Sequence, residues 1–93
     1  MWFSAVSAWE LSIKVRSGKL ELDVTSLVNG LVQNGVRLLG VGIDDGIAAG
    51  ALDWAHRDPF DRMLVAQAKR QKLSLVTRDA LMVDFPGVTT IEA

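Results

Sequence analysis

Cysteine is absent from the sequence. That absence excludes disulfides, thiolate metal sites and cysteine nucleophiles, and it fits a reducing cytoplasm. Histidine occurs once, as His56, too rarely for a histidine-rich zinc site. A metal, if bound, is therefore expected on oxygen ligands. Charge of one sign is also missing: the formal net charge is -1, so there is no basic field of the kind that drives non-specific nucleic-acid binding. A nucleic-acid partner would have to be held locally. Long hydrophobic runs are absent too. The apolar start MWFSAVSAW ends at Glu10 with no charged segment before it, so it reads as neither signal peptide nor membrane span. The expectation is a soluble, cytoplasmic protein. What is present, 49% hydrophobic and 23% charged residues over 93 positions, is the composition of one small globular domain with a modest core.

The hydrophobic pattern alternates between strands and helices. Residues 1 to 4 read as the end of a strand, followed by a helix over about 5 to 16. Ser4 or Ser7 is its cap, Ser7 and Glu10 have capping-box spacing, and Gly18 is the stop. Leu27, Val28, Leu31 and Val32 recur at helical spacing between Thr25 and Asn34, with Gly35 at the end. VRLLGV at 36 to 41 reads as a short buried strand, and a helix over about 44 to 54 follows. Asp58 and Pro59 open a further helix reaching about Gln71. LSLVT at 73 to 77 is a second buried strand, a turn or short helix covers 79 to 84, and a last strand lies near 88 to 91. Strands separated by helices imply parallel pairing in an α/β fold. In such sheets ligands gather beyond the carboxyl ends of the strands. That rule draws Glu10, Asp61 and Asp79 to one edge.

Each acid also has a plain structural reading. Asp58 before a proline is a helix N-cap. Asp61 suits the positive end of the helix dipole, yet Leu64, Val65 and Ala68 lie three, four and seven positions on, so its carboxylate sits over an apolar face and must be paired or bound to a cation. Glu10 has Lys14 four residues later, which would suffice for an ion pair, but Val6 and Ile13 flank it on one face. Asp79 follows a buried strand as a turn or capping residue would. Together the three offer the hard oxygen ligands that magnesium and manganese require. Arg57, Arg62 and Arg78, each one residue from an acid, are read as ion-pair partners or as phosphate clamps for a substrate. Lys69, Arg70 and Lys72 read as a solvated face at the negative end of the helix dipole. His56 reads as a structural donor before the helix, and the three tryptophans as core or interface residues.

Two long motifs, SAVSAWELSIKVRSGKLEL and HRDPFDRMLVAQAKRQKLSLVTRDAL, closely resemble the PIN domain of VapC-type toxins in order and spacing. The resemblance implies a PIN-like three-layer fold over residues 1–93, with a parallel sheet flanked by helices. It also implies a metal-dependent endoribonuclease of a type II toxin–antitoxin system, silenced by a cognate antitoxin. The family's acidic Mg2+ or Mn2+ site maps onto Glu10 of the WE motif, Asp61 of the FDR motif and Asp79 of the TRD motif. Asp58, Thr77, Arg57, Arg62 and Arg78 fall in supporting or substrate-binding places. The family begins with a further strand ending in an aspartate, which the sequence does not contain. The resemblance is therefore to a domain lacking its N-terminal segment, whose open sheet edge would favour a homodimer or strand exchange. Two other readings stand beside the nuclease. One is an inactive remnant that binds an antitoxin or a copy of itself; the other is an unrelated small α/β binding domain whose acids are caps and ion pairs.

Overall fold

The computed structural model describes residues 1–77 and 89–92. The strand β1 (Trp2–Ser4) runs directly into the helix α1 (Ala5–Arg16), because Ser4 turns the chain by accepting a hydrogen bond on its hydroxyl from the Val6 N–H at 3.1 Å. Ser4, not Ser7, is thus the cap. Ser7 lies inside the helix and is buried, so its spacing to Glu10 is not a capping box. Gly18 at φ +79° ends α1, with the Lys19 N–H reaching back to the Lys14 carbonyl at 3.0 Å, the left-handed closure that glycine adopts without strain.

Asp23 caps α2 (Val24–Gln33), β2 is Arg37–Leu39, and α3 spans Ile43–Ala51. The sequence pattern carries α3 on to Trp54. Its earlier end has a tertiary cause, because Arg62 captures carbonyls at the end of the helix and just beyond it. α4 (Pro59–Gln71) follows the expected bounds: Asp58 accepts from the N–H groups of Phe60 and Asp61, and Pro59 occupies the first turn. It closes at Lys72, whose φ of 54° is the one positive value among the described non-glycine residues. β3 (Ser74–Thr77) and β4 (Thr89–Glu92) complete the sheet. The turn or helix expected at 79 to 84 lies outside the described residues.

The strands form one parallel sheet in the order β2-β1-β3-β4, the α/β architecture expected from strand and helix alternation. β1 lies between β2 and β3, with Phe3 opposite Leu38 on one side and Trp2 opposite Leu75 on the other. Parallel pairing puts the carboxyl ends of the strands, and hence the starts of the following segments, on one edge. The core is built where α4 meets α1 and the sheet: Val6, Leu64, Val65, Ala68 and Leu75 are buried together, bordered by Trp2, Leu39, Trp54, Phe60 and Met63. Leu64, Val65 and Ala68 recur at the spacing that gives one helix a single buried face. Asp61 lies on that same face, one turn earlier.

Candidate metal centre

Asp61 is 3% exposed, and its carboxylate is satisfied from the segment preceding α4. Nε2 of His56 meets Oδ2 of Asp61 in a short contact. The imidazole lies against the Trp54 ring, with centroids 4.8 Å apart and planes inclined by 32°. Residues 52–58 form no helix or strand, so their carbonyls lack ladder partners and need donors from elsewhere. Arg62 supplies them. Its Nε and Nη2 donate to the Ala49 carbonyl at 3.1 and 2.8 Å, Nη2 also to Leu52 at 3.0 Å, and Nη1 to Trp54 at 2.6 Å and His56 at 3.1 Å. The guanidinium, with five N–H donors in a planar fork, suits that task. The sequence predicts that Arg62 pairs with an acid or clamps a substrate phosphate; its donors instead bind protein backbone and fix the loop that carries His56 and Asp58.

His56, Asp58 and Asp61 each offer a ligand atom, and the three atoms lie within 4.8 Å of one another. One Asp58 oxygen, Oδ1, is the helix cap, so its capping reading holds alongside any role near a cation. Two carboxylates and an imidazole are a donor set that a divalent ion accepts. The sequence predicts an all-oxygen set; here an imidazole stands beside the two carboxylates, where it can either ligate an ion or orient Asp61.

Glu10 is half-buried on α1 and is not part of that trio. The helices do bring its turn close to the first turn of α4: Trp9, the residue before Glu10, packs edge-on against Phe60, the residue before Asp61, with centroids 4.7 Å apart and planes at 71°. Trp2 and Trp54 border the core, whereas Trp9 is 62% exposed. Arg57 is exposed. Thr77 ends β3, and Arg78 and Asp79 lie outside the described residues.

A second buried polar group was not anticipated. Ser4 donates its hydroxyl to Oε1 of Gln67 at 2.6 Å, and Nε2 of Gln67 donates to the Gly40 carbonyl and to Oδ2 of Asp45. Asp45 accepts further from the Gly42 N–H at 2.9 Å and from Nε and Nη2 of Arg70 at 3.1 and 2.6 Å. Arg70 is therefore not simply part of a solvated face. Burial pushes the Asp45 carboxyl up, but the Gly42 N–H, Arg70 and Gln67 together outweigh it and hold it below its usual value. This chain of hydrogen bonds ties the end of β1, the end of β2, α3 and α4 together on the edge where α1 begins. Its sequence signal is Gln67 itself, a polar residue between Leu64 and Ala68 on an apolar face.

A family model described as PIN domain matches residues 1–87. The chain belongs to the PIN domain family. No curated protein matches it. PIN domains have a nuclease-type fold and are generally metal-dependent nucleases, hydrolases that use divalent ions. In this PIN domain the His/Asp cluster lies at the start of α4, and among the described residues no helix is long and apolar enough to cross a membrane.

Proposed function

We propose that this PIN domain is a VapC-type endoribonuclease, the toxin of a type II toxin–antitoxin pair, which hydrolyses RNA phosphodiesters at an acidic Mg2+ or Mn2+ site. The observation that carries the reading is Asp61: a buried carboxylate in the first turn of α4, within a chain that matches the family over residues 1–87. Glu10, Asp61 and Asp79 are the residues assigned to hold the ion, with Asp58 and Thr77 in support. When bound, such an ion lowers the pKa of a coordinated water and stabilises charge developing on the phosphate. Asp61 contributes a negative charge fixed in direction by its neighbours. Asp61 stands in the first turn of α4, at the positive end of the helix dipole, which suits an anionic group. Arg57 and Arg78 are assigned to the RNA backbone; Arg62 keeps the loop before α4 in place.

A cognate antitoxin and a second copy of the chain are the partners assigned to it, in the cytoplasm, and exposed apolar side chains support a protein partner. Ile43 and Ile47 on α3 are 82% and 66% exposed and Leu38 on β2 is 53% exposed, apolar area of the kind that partners cover. The nuclease reading is tested by incubating the chain with a labelled structured RNA in manganese, in chelator, and as Asp61→Asn. Cutting should require both the metal and Asp61. Equal cutting by Asp61→Asn, or none by the pure folded chain, would overturn it.

A further inference from the structure

We infer that His56 is a positioning residue for the metal centre, orienting the Asp61 carboxylate through a hydrogen bond from Nε2 to Oδ2; this rests on the nuclease reading above. An aspartate side chain has two free torsions, so an anchor on one oxygen fixes the plane of the carboxylate and the direction of the other oxygen. Asp61 is held in that way. An ionised carboxylate only accepts hydrogen bonds, so in this contact Nε2 carries the N–H.

The anchor is itself held from two sides. The ring lies against Trp54, and the His56 carbonyl is gripped by Nη1 of Arg62, which binds the Trp54 carbonyl with the same nitrogen. Arg62 stands one residue after Asp61 on α4, so the helix that carries the carboxylate also fixes the loop that orients it. Geometry of this kind, in which ligating groups are aimed by hydrogen bonds from outside the ion's own ligands, typically changes metal affinity or activity by about 10–100-fold when removed.

The test measures manganese affinity by titration calorimetry and manganese-dependent RNA cleavage for wild type, His56→Ala and His56→Gln. Thermal unfolding confirms that each is folded, and His56→Gln keeps an N–H donor if removal of the ring proves too disruptive. His56→Ala should weaken manganese binding and lower kcat by about 10–100-fold, with KM for RNA changed less than about twofold, the pattern of a lost interaction that aids the chemical step and not substrate binding. His56→Gln should recover most of both. In the metal-free protein, ring 15N shifts should show the proton on Nε2 and should move in Asp61→Asn.

Manganese affinity and kcat in His56→Ala equal to wild type would overturn the assignment of His56 while leaving the nuclease reading intact. A 14N coupling to bound manganese in its paramagnetic resonance spectrum would overturn it in favour of direct ligation. Wild type with the Nε2 proton in place but no affinity for manganese would overturn the nuclease reading, and the positioning role with it.

Discussion

Replacing Asp45 by asparagine removes one charge from a buried carboxylate that accepts several hydrogen bonds, while keeping its size. Asp45 is 1% exposed and accepts from Gly42, Gln67 and Arg70. Breaking a fully buried ion pair costs roughly 3–5 kcal/mol. The Arg70 side chain, however, is 40% exposed and regains water when its partner is lost. The penalty then falls on the Gln67 amide and the Gly42 N–H, and it drops to about 2–3 kcal/mol. For a domain of this size, that lowers Tm by roughly 10–20 °C. The pH dependence gives a second signature. Because the Asp45 pKa is lowered in the folded protein, its stabilisation is fully present above the unfolded value of about 3.9. That stabilisation is lost as pH falls through the folded pKa. Thermal unfolding followed by far-ultraviolet circular dichroism should therefore show wild type and Asp45→Asn converging as pH is lowered from about 6 to about 2.5. A variant within about 0.5 kcal/mol of wild type at neutral pH, the usual range for an inert surface change, would refute the reasoning, as would a gap that stays constant across the acid range.

Arg62→Lys should destabilise by about 1–3 kcal/mol and raise amide exchange across residues 52–58, since an ammonium cannot reach four carbonyls at once; unchanged exchange would show that the loop holds itself. Asp58→Ala should cost about 1 kcal/mol by loss of the α4 cap and Asp58→Asn much less, read by denaturant titration. Lys72→Gly should stabilise by about 0.5–1 kcal/mol, because glycine removes the strain at φ 54° at a smaller cost in chain entropy. A loss of stability in that variant would mean that the Lys72 side chain has a role that its backbone conformation hides.

Local chemistry makes α4 legible from its residues alone: Asp-Pro sets its start, and Leu64, Val65 and Ala68 set its buried face, so the odd carboxylate at Asp61 stands out. The alternation of strands and helices likewise points to a parallel sheet. Tertiary contacts decide what the hydrophobic pattern leaves open. α3 ends at Ala51 because Arg62, thirteen residues beyond Ala49, binds the carbonyls there. Arg70 turns inward because α3 presents Asp45 to it, which no spacing within α4 could reveal. His56 reads in sequence as a donor ahead of a helix; that its ring meets Asp61 depends on how the loop folds back over the first turn. The cap of α1 falls to Ser4 because the chain leaves β1 there, although Ser7 and Glu10 carry the commoner signature.

The proposed metal set is Glu10, Asp61 and Asp79, on three separate segments, holding one or two divalent ions. Manganese titration of wild type beside Glu10→Gln, Asp61→Asn and Asp79→Asn tests it most directly. If the three share an ion, each variant should weaken binding by about tenfold or more. Pairs of substitutions should then fall short of the sum of the singles, since ligands of one ion act together. Wild-type affinity in any one of the three would remove that residue from the site, and wild-type affinity in all three would contradict the account.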